Sequence, residues 1–231
     1  MPGRRLAERS PLTQDRVLEA ATAIADRDGI DALTMRRLAD DLGVEAMSIY
    51  YHLPNKEAIL DGLVERTFAE IETEVGGFGP EASGVSWTQT LRARILGARR
   101  VMLRHPWVPQ VMESRSTLCP TMVRYIDGSV AIMQAGGVSF DLIHHALHAL
   151  GSRLHGFTQE LRMDGSAPGD AASAASEAQV AQMMQLAPNL AAMLAEVVHD
   201  DPDSTLGWCD DQTEFEFGLD LLLDGLERRA R

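Results

Sequence analysis

Between Thr34 and His52 the chain reads TMRRLADDLGVEAMSIYYH, and this stretch gathers side chains suited to gripping a nucleic acid. Tyr50, Tyr51 and His52 form an aromatic and polar cluster that holds two of the three tyrosines in the chain. Lys56, the only lysine, falls at the expected start of a helix, where backbone N–H groups and a cation can hold a phosphate together. Ala46, Met47 and Ser48 supply small, apolar and hydrogen-bonding groups at the head of a short helix, which a DNA major groove can accept. The plain alternative is a helical hairpin that only packs, with Tyr50 buried in its core.

A second set of residues suggests ligand chemistry. His144, His148 and His155 stand at i, i+4 and i+11, on one face of a helix. His144 and His148 could hold a metal or an acidic ligand; the alternative is interface or surface histidines bonded to their neighbours. A helical metal-binding protein or enzyme built on His144, His148 and Glu160 is therefore the rival reading. Against it, no carboxylate completes a HExxH pattern and no serine, cysteine or aspartate is spaced to finish a catalytic set. No enzyme activity, metal or cofactor is expected. Arg94, Arg115 and Tyr125 are candidates to line a cavity, where arginine would pair with an anionic group, although Arg94 could equally point outward. The methionines, Met112 and Met133 among them, suit a yielding apolar cavity or ordinary core filling.

Helices must position all of these groups. No sustained alternation of β-branched residues marks a sheet, so the fold class is all-α. A first helix is expected from about Thr13 to Arg27, capped by Thr13 and stopped by Asp28-Gly29. Thr34 caps a second, Met35–Leu42, and Gly43 makes the turn into a third, Glu45–Tyr51. Ala39 sits where two helices cross closely, and Leu38, Val44 and Ile49 are spaced to lock them together. Asn55 caps a fourth helix from Lys56 to about Glu74. Residues 76–84, rich in Gly, Pro and Ser, form the boundary between an N-terminal domain (1–75) and a C-terminal helical bundle (76–231). Further helices are expected near Trp87–Arg104, Trp107–Glu113, Pro120–Ala135, Phe140–Met163, Leu190–His199 and Asp211–Arg229, with a mobile surface loop at Gly165–Ser176.

Composition constrains the partners. The net charge of −13 argues against a broadly cationic nucleic-acid binder. Residues 1–60, however, hold 8 basic and 10 acidic side chains, so most of the negative charge lies downstream and a small DNA-facing patch remains possible. Two distant cysteines, Cys119 and Cys209, predict neither a disulfide framework nor a zinc module and fit a reducing cytoplasm. No secretory signal or membrane-spanning run is expected.

The stretch GIDALTMRRLADDLGVEAMSIYYHLPNKEAILDGLVE resembles the DNA-binding signature of the TetR family. GVSWTQTL, QAGGVSFDLIHHAL and FEFGLDLLLDGLERR resemble, in the same order, the tetracycline-repressor-type C-terminal domain. The resemblance implies an N-terminal helix-turn-helix of three helices, a C-terminal bundle for ligand binding and dimerisation, and a homodimer on a palindromic operator, released by a small-molecule inducer. Dimer contacts would come from the helices near 140–163 and 211–229. Phosphate and positioning contacts would fall on Thr34, Tyr50, Tyr51 and Lys56. Base-reading contacts would fall on Arg36, Ala46, Met47 and Ser48, with Glu45 and His52 beside them. Ala46 and Met47 replace polar and proline residues typical of the family, which implies a different operator and contact with thymine methyls. The two histidines that hold a magnesium–tetracycline complex correspond to Met112 and Ser152, the drug-gripping asparagine to Arg94, and an aromatic wall residue to Ala98, while the glutamate survives as Glu160. The implied pocket is larger and less suited to a metal, so the expected inducer is bulky and hydrophobic.

Overall fold

The structure, a computed structural model, describes residues 11–76, 85–115, 119–163, 184–189, 192 and 211–231, the side chains of 155, 157–163 and 211 excepted. No strand occurs among them. The expected helix at Leu190–His199 and the loop at Gly165–Ser176 lie outside the described residues, apart from Ala192.

The first helix, α1, runs Gln14–Asp28. Thr13 starts it, its hydroxyl oxygen accepting from the Arg16 N–H at 3.2 Å. Its apolar stripe, Val17, Leu18, Ala21, Ile24 and Ala25, is buried. A single 3-10 turn, Ile30–Ala32, leads into α2, Met35–Leu42, which Thr34 caps through the Arg37 N–H. Gly43 ends α2 in the left-handed region, at φ 65° and ψ 38°. Its N–H donates to the Asp40 carbonyl and the Val44 N–H donates to the Ala39 carbonyl, closing the last turn with the paired bonds of a Schellman motif. The chain re-enters helix at α3, Ala46–His52. This is one residue later at each end than the sequence pattern suggests. Glu45 is the N-cap instead of the first helical residue, and its side chain caps nothing.

The long α4, Lys56–Glu74, begins at Asn55, whose side-chain oxygen accepts from the Ala58 N–H at 2.7 Å. It buries Ile59, Leu60, Leu63, Val64, Thr67, Phe68 and Ile71. Gly62 lets α1 and α4 approach: a Cβ there would stand 2.6 Å from a terminal methyl of Leu18. The remaining helices are α5 (Trp87–Arg104), α6 (Val108–Glu113), α7 (Pro120–Ala135), α8 (Phe140–Met163) and α9 (Asp211–Ala230). Trp107 precedes α6 at its N-cap and is fully buried.

Packing divides the chain into two units, Met1–Phe78 with Arg100–Gly128, and Gly79–Arg99 with Ser129–Arg231. In the first, α1 packs on α2 and α4, α2 on α3, and α4 on α6. In the second, α9 lies on α8, burying Phe215, Leu219, Leu223 and Leu226. Arg92 clasps α9 through Glu216 and Asp220, each at 2.6 Å, and Arg153 lies over Gly218, donating to the Glu214 carbonyl.

Candidate nucleic-acid interface

The recognition segment is built on one anchor. Ile49, at the centre of α3, is fully buried with Leu38 and Ala39 of α2, at a stabilisation of about 1.5–3 kcal/mol for such a side chain. Helical spacing then turns the other α3 positions away from that seat. Tyr51 is 89% exposed, Met47 74% and Tyr50 40%. Ser48 is exposed, and Ala46 and His52 are half-buried. Tyr51 and His52 meet edge to face, with centroids 5.4 Å apart. Tyr50 and Tyr51 are thus outside the core, as a contact role requires, and the buried reading of Tyr50 is set aside.

The flanking residues are placed by caps. Thr34 is exposed and its oxygen is engaged by the Arg37 N–H, which leaves its O–H able to donate outward. Glu45 is exposed, with its carbonyl accepting from the Ser48 N–H. Lys56 is the first residue of α4, next to the Asn55 cap, so a cation and unpaired helix N–H groups share one helix terminus.

Charge pairing sharpens the picture. Arg27 and Arg37 bond Asp28; Arg66 pairs with Asp15; Arg100 and Arg104 pair with Glu74 and Glu70; Arg124 pairs with Glu72. Arg36, exposed on α2, and Lys56 make no ion pair among the described residues. Much of the positive charge on the described residues of this unit is therefore spent internally, while Arg36 and Lys56, on the helices adjoining α3, have no ion-pair partner among the described residues and are available to phosphate.

A model of bacterial regulatory proteins of the tetR family matches residues 17–63, from α1 into α4, and a model of the tetracyclin repressor-like C-terminal domain matches residues 80–230. The chain belongs to the TetR family. It is 31% identical over 218 residues, 94% of this chain and 77% of the relative, to the HTH-type transcriptional repressor DrrR1 of Streptomyces coeruleorubidus. It is 35% identical over 126 residues to an HTH-type transcriptional regulator of Saccharopolyspora erythraea, where the match spans 54% of this chain and about half, 51%, of the relative. Among solved structures it is similar to ActR of Streptomyces coelicolor in complex with actinorhodin, at a TM-score of 0.70 and 26% identity over 96% of this chain and 99% of that one. This TetR-family chain is accordingly a transcriptional regulator with a helix-turn-helix for DNA.

The candidate ligand residues are scattered by comparison. In the first unit, Met112 is half-buried on α6, and Tyr125 of α7 packs edge to face on Phe68 of α4 with centroids 5.9 Å apart. Arg115 ion-pairs with both Glu57 and Asp61 of α4, so its charge is already met within the protein. In the second unit, Arg94 is buried and its Nε donates to the Ser129 hydroxyl at 3.0 Å; the outward-pointing alternative does not hold. Ala98 is fully buried. His144 and His148 are exposed on α8 with ring centroids 4.8 Å apart, and Ser152 is exposed on the same helix. The side chains of Glu160 and His155 lie outside the described residues. No group of three or more His, Cys, Asp or Glu side chains that could hold a metal occurs among the described residues, so the His144–His148 pair finds no third ligand there.

The sequence pattern missed two features. One is the set of long-range ion pairs along α4. The other is His105, whose nearly buried ring joins the partly exposed Asp26 and Glu70, with Trp107, in one hydrogen-bonded network. Burial, with Glu65 beside it, pushes the Cys119 thiol up to about 11, which removes it as a nucleophile near neutral pH. No helix among the described residues is long and apolar enough to cross a membrane.

Proposed function

We propose that this chain is a repressor that binds a palindromic operator as a homodimer in the cytoplasm, and that a bulky, largely hydrophobic small molecule releases it. The observation that carries the reading is the α3 face: Met47, Ser48, Tyr50 and Tyr51 stand exposed around a single buried anchor, with Arg36 and Lys56, which make no ion pair among the described residues, on the adjoining helices. Phosphate contacts are assigned to Thr34, Tyr50, Tyr51 and Lys56. Base contacts are assigned to Arg36, Ala46, Met47 and Ser48, with Glu45 and His52 at the edge of the set. Arg36 suits guanine, and Ala46 and Met47 suit thymine methyls.

Two copies would place their recognition helices about 34–36 Å apart, one turn of the duplex. Release then follows from linkage. A ligand that favours the arrangement unable to bind DNA weakens operator affinity by the factor that operator weakens ligand affinity, for a coupling of about 1–3 kcal/mol. The His52–Asn55 segment between α3 and α4 is where a shift of α4 would be felt by the recognition helix. Two similar proteins support the reading, the transcriptional repressor DrrR1 and the TetR family protein ActR in complex with actinorhodin. The ligand-contacting residues proposed here are Arg94, Met112, Tyr125, His144, His148, Ser152 and Glu160. Arg115 takes the lesser part its ion pairs allow.

The test is selection of duplexes from a random-sequence pool. The expected product is a two-fold symmetric site bound by a dimer in sedimentation. Recovery of no preferred sequence, or binding only as a monomer to a site without symmetry, overturns the proposal.

A further inference from the structure

His105 closes α5 and opens the turn into α6: its N–H donates to the Val101 carbonyl, and its carbonyl accepts from the Val108 N–H. Its ring is nearly buried and lies between two carboxylates from different helices. Nδ1 is 2.8 Å from an Asp26 oxygen on α1, and Nε2 is 2.9 Å from a Glu70 oxygen on α4. The same Asp26 oxygen accepts from the Trp107 indole N–H at 2.6 Å. On the flank, Arg104 donates to Glu70 and Glu74, and Arg100 donates to Glu74.

The donor inventory of this group is decisive. An ionised carboxylate only accepts, and a neutral imidazole carries one N–H and one lone pair. A neutral ring can satisfy one of the two contacts, and its other nitrogen then faces an oxygen with lone pair against lone pair. The doubly protonated ring satisfies both at once. Glu70 fits an ionised partner: burial raises its pKa, and the hydrogen bonds from His105 and Arg104 outweigh that and hold it below the usual carboxylate range. The junction matters for DNA because α4 is one continuous helix. Glu70 lies 14 residues after Lys56, about 21 Å along the axis. A tether at one end therefore sets the direction of the other, where the phosphate-facing lysine sits.

We propose that His105 is a positioning residue whose proton fastens α1 and α4 to the α5–α6 turn, so that operator affinity falls as the ring becomes neutral. This rests on the DNA-binding reading above. Rising pH loosens the far end of α4, and the setting of Lys56 and α3 blurs with it. The device would make the regulator respond to proton concentration as well as to a small molecule.

The experiment compares the full-length protein with His105→Gln and Glu70→Gln, using the selected duplex at constant salt from about pH 5.5 to about pH 8.5, the range in which imidazole titrates. His52 is present in all three proteins, so the difference between profiles isolates His105. The wild type is expected to lose about tenfold more affinity than His105→Gln across the range, the scale of one charged hydrogen bond. Glu70→Gln supplies an amide that a neutral ring can accept from, and is expected to keep its affinity at the alkaline end. Superimposable wild-type and His105→Gln profiles overturn the proposal. Amide hydrogen exchange at the C-terminal turns of α1 and α4 judges it without DNA. Protection should fall with rising pH in the wild type, after correction for intrinsic exchange, and stay level in His105→Gln; level protection in the wild type also overturns it. Absence of any selected duplex would instead count against the DNA-binding reading, with the exchange result still deciding the role of His105.

Discussion

The α3 face and the flank of α4 belong to one packing unit and treat charge in opposite ways. Along α4, Glu57, Asp61, Glu70, Glu72 and Glu74 each meet an arginine, and Glu65 accepts from Thr121. Around α3 the exposed side chains are mostly uncharged, and Arg36 and Lys56 have no ion-pair partner among the described residues. The contrast explains how a chain with a net charge of −13 can offer a surface to a polyanion. What matters is where cations remain uncommitted; pairing with α4 carboxylates occupies Arg100, Arg104, Arg115 and Arg124, and Asp28 of α1 occupies Arg27 and Arg37.

The largest break in that contrast should come from the anchor of the recognition helix. Ile49→Ala removes a fully buried side chain and is expected to cost about 2–5 kcal/mol of stability, with loss of duplex binding; thermal unfolding with a gel shift checks both. Next come the uncommitted cations. Lys56→Ala should weaken every duplex by a similar factor and lower the slope of log K against log salt by about 1, whereas Arg36→Ala should cost about 1–3 kcal/mol and relax sequence preference at one position. Neither should move the unfolding midpoint. An equal loss of salt slope on replacing Arg104, an α4 partner, would erase the distinction between the two regions.

Acid unfolding sharpens the other half. Burial raises Glu65 and Glu70, but hydrogen bonds from Thr121 and Cys119 to the first, and from His105 and Arg104 to the second, leave both below their ordinary values. Bonds from Arg100 and Arg104 lower Glu74. Carboxylates lowered on folding add stability above the ordinary carboxylate range, and that stability is lost as pH falls through it. Denaturant unfolding followed from neutral pH downward should therefore show a declining midpoint, with a shallower decline in Glu70→Gln. The smallest effect is expected from Arg104→Ala at neutral pH, about 0.2–1 kcal/mol, because the pair is solvent-exposed.

The local grammar of the first unit was readable without coordinates. Thr13, Thr34 and Asn55 are caps, Gly29 and Gly43 are stops, and Leu38, Ala39 and Ile49 are the seat of the hairpin, because each depends on neighbours within a few residues. Glu45 lies one position outside the helix that the sequence pattern suggests, since its side chain makes no capping bond that would mark the boundary. Arg115 and His105 were opaque for another reason. Their partners lie 58 and 79 residues away, and nothing in a His-Pro dipeptide or a lone arginine specifies which carboxylate folding will bring to it. Arg94 illustrates the same limit: helical spacing allows a charged residue on either side of α5, and only packing decides that it is interior.

The sole lysine has a practical consequence. Apart from the terminal amine, Lys56 is the one primary amine in 231 residues, and it opens the helix next to the recognition segment. Amine-coupling to a sensor chip would tether the molecule by the surface proposed for the duplex and mask it. A single amine-reactive fluorophore at limiting dose would instead report directly on occupancy of that surface.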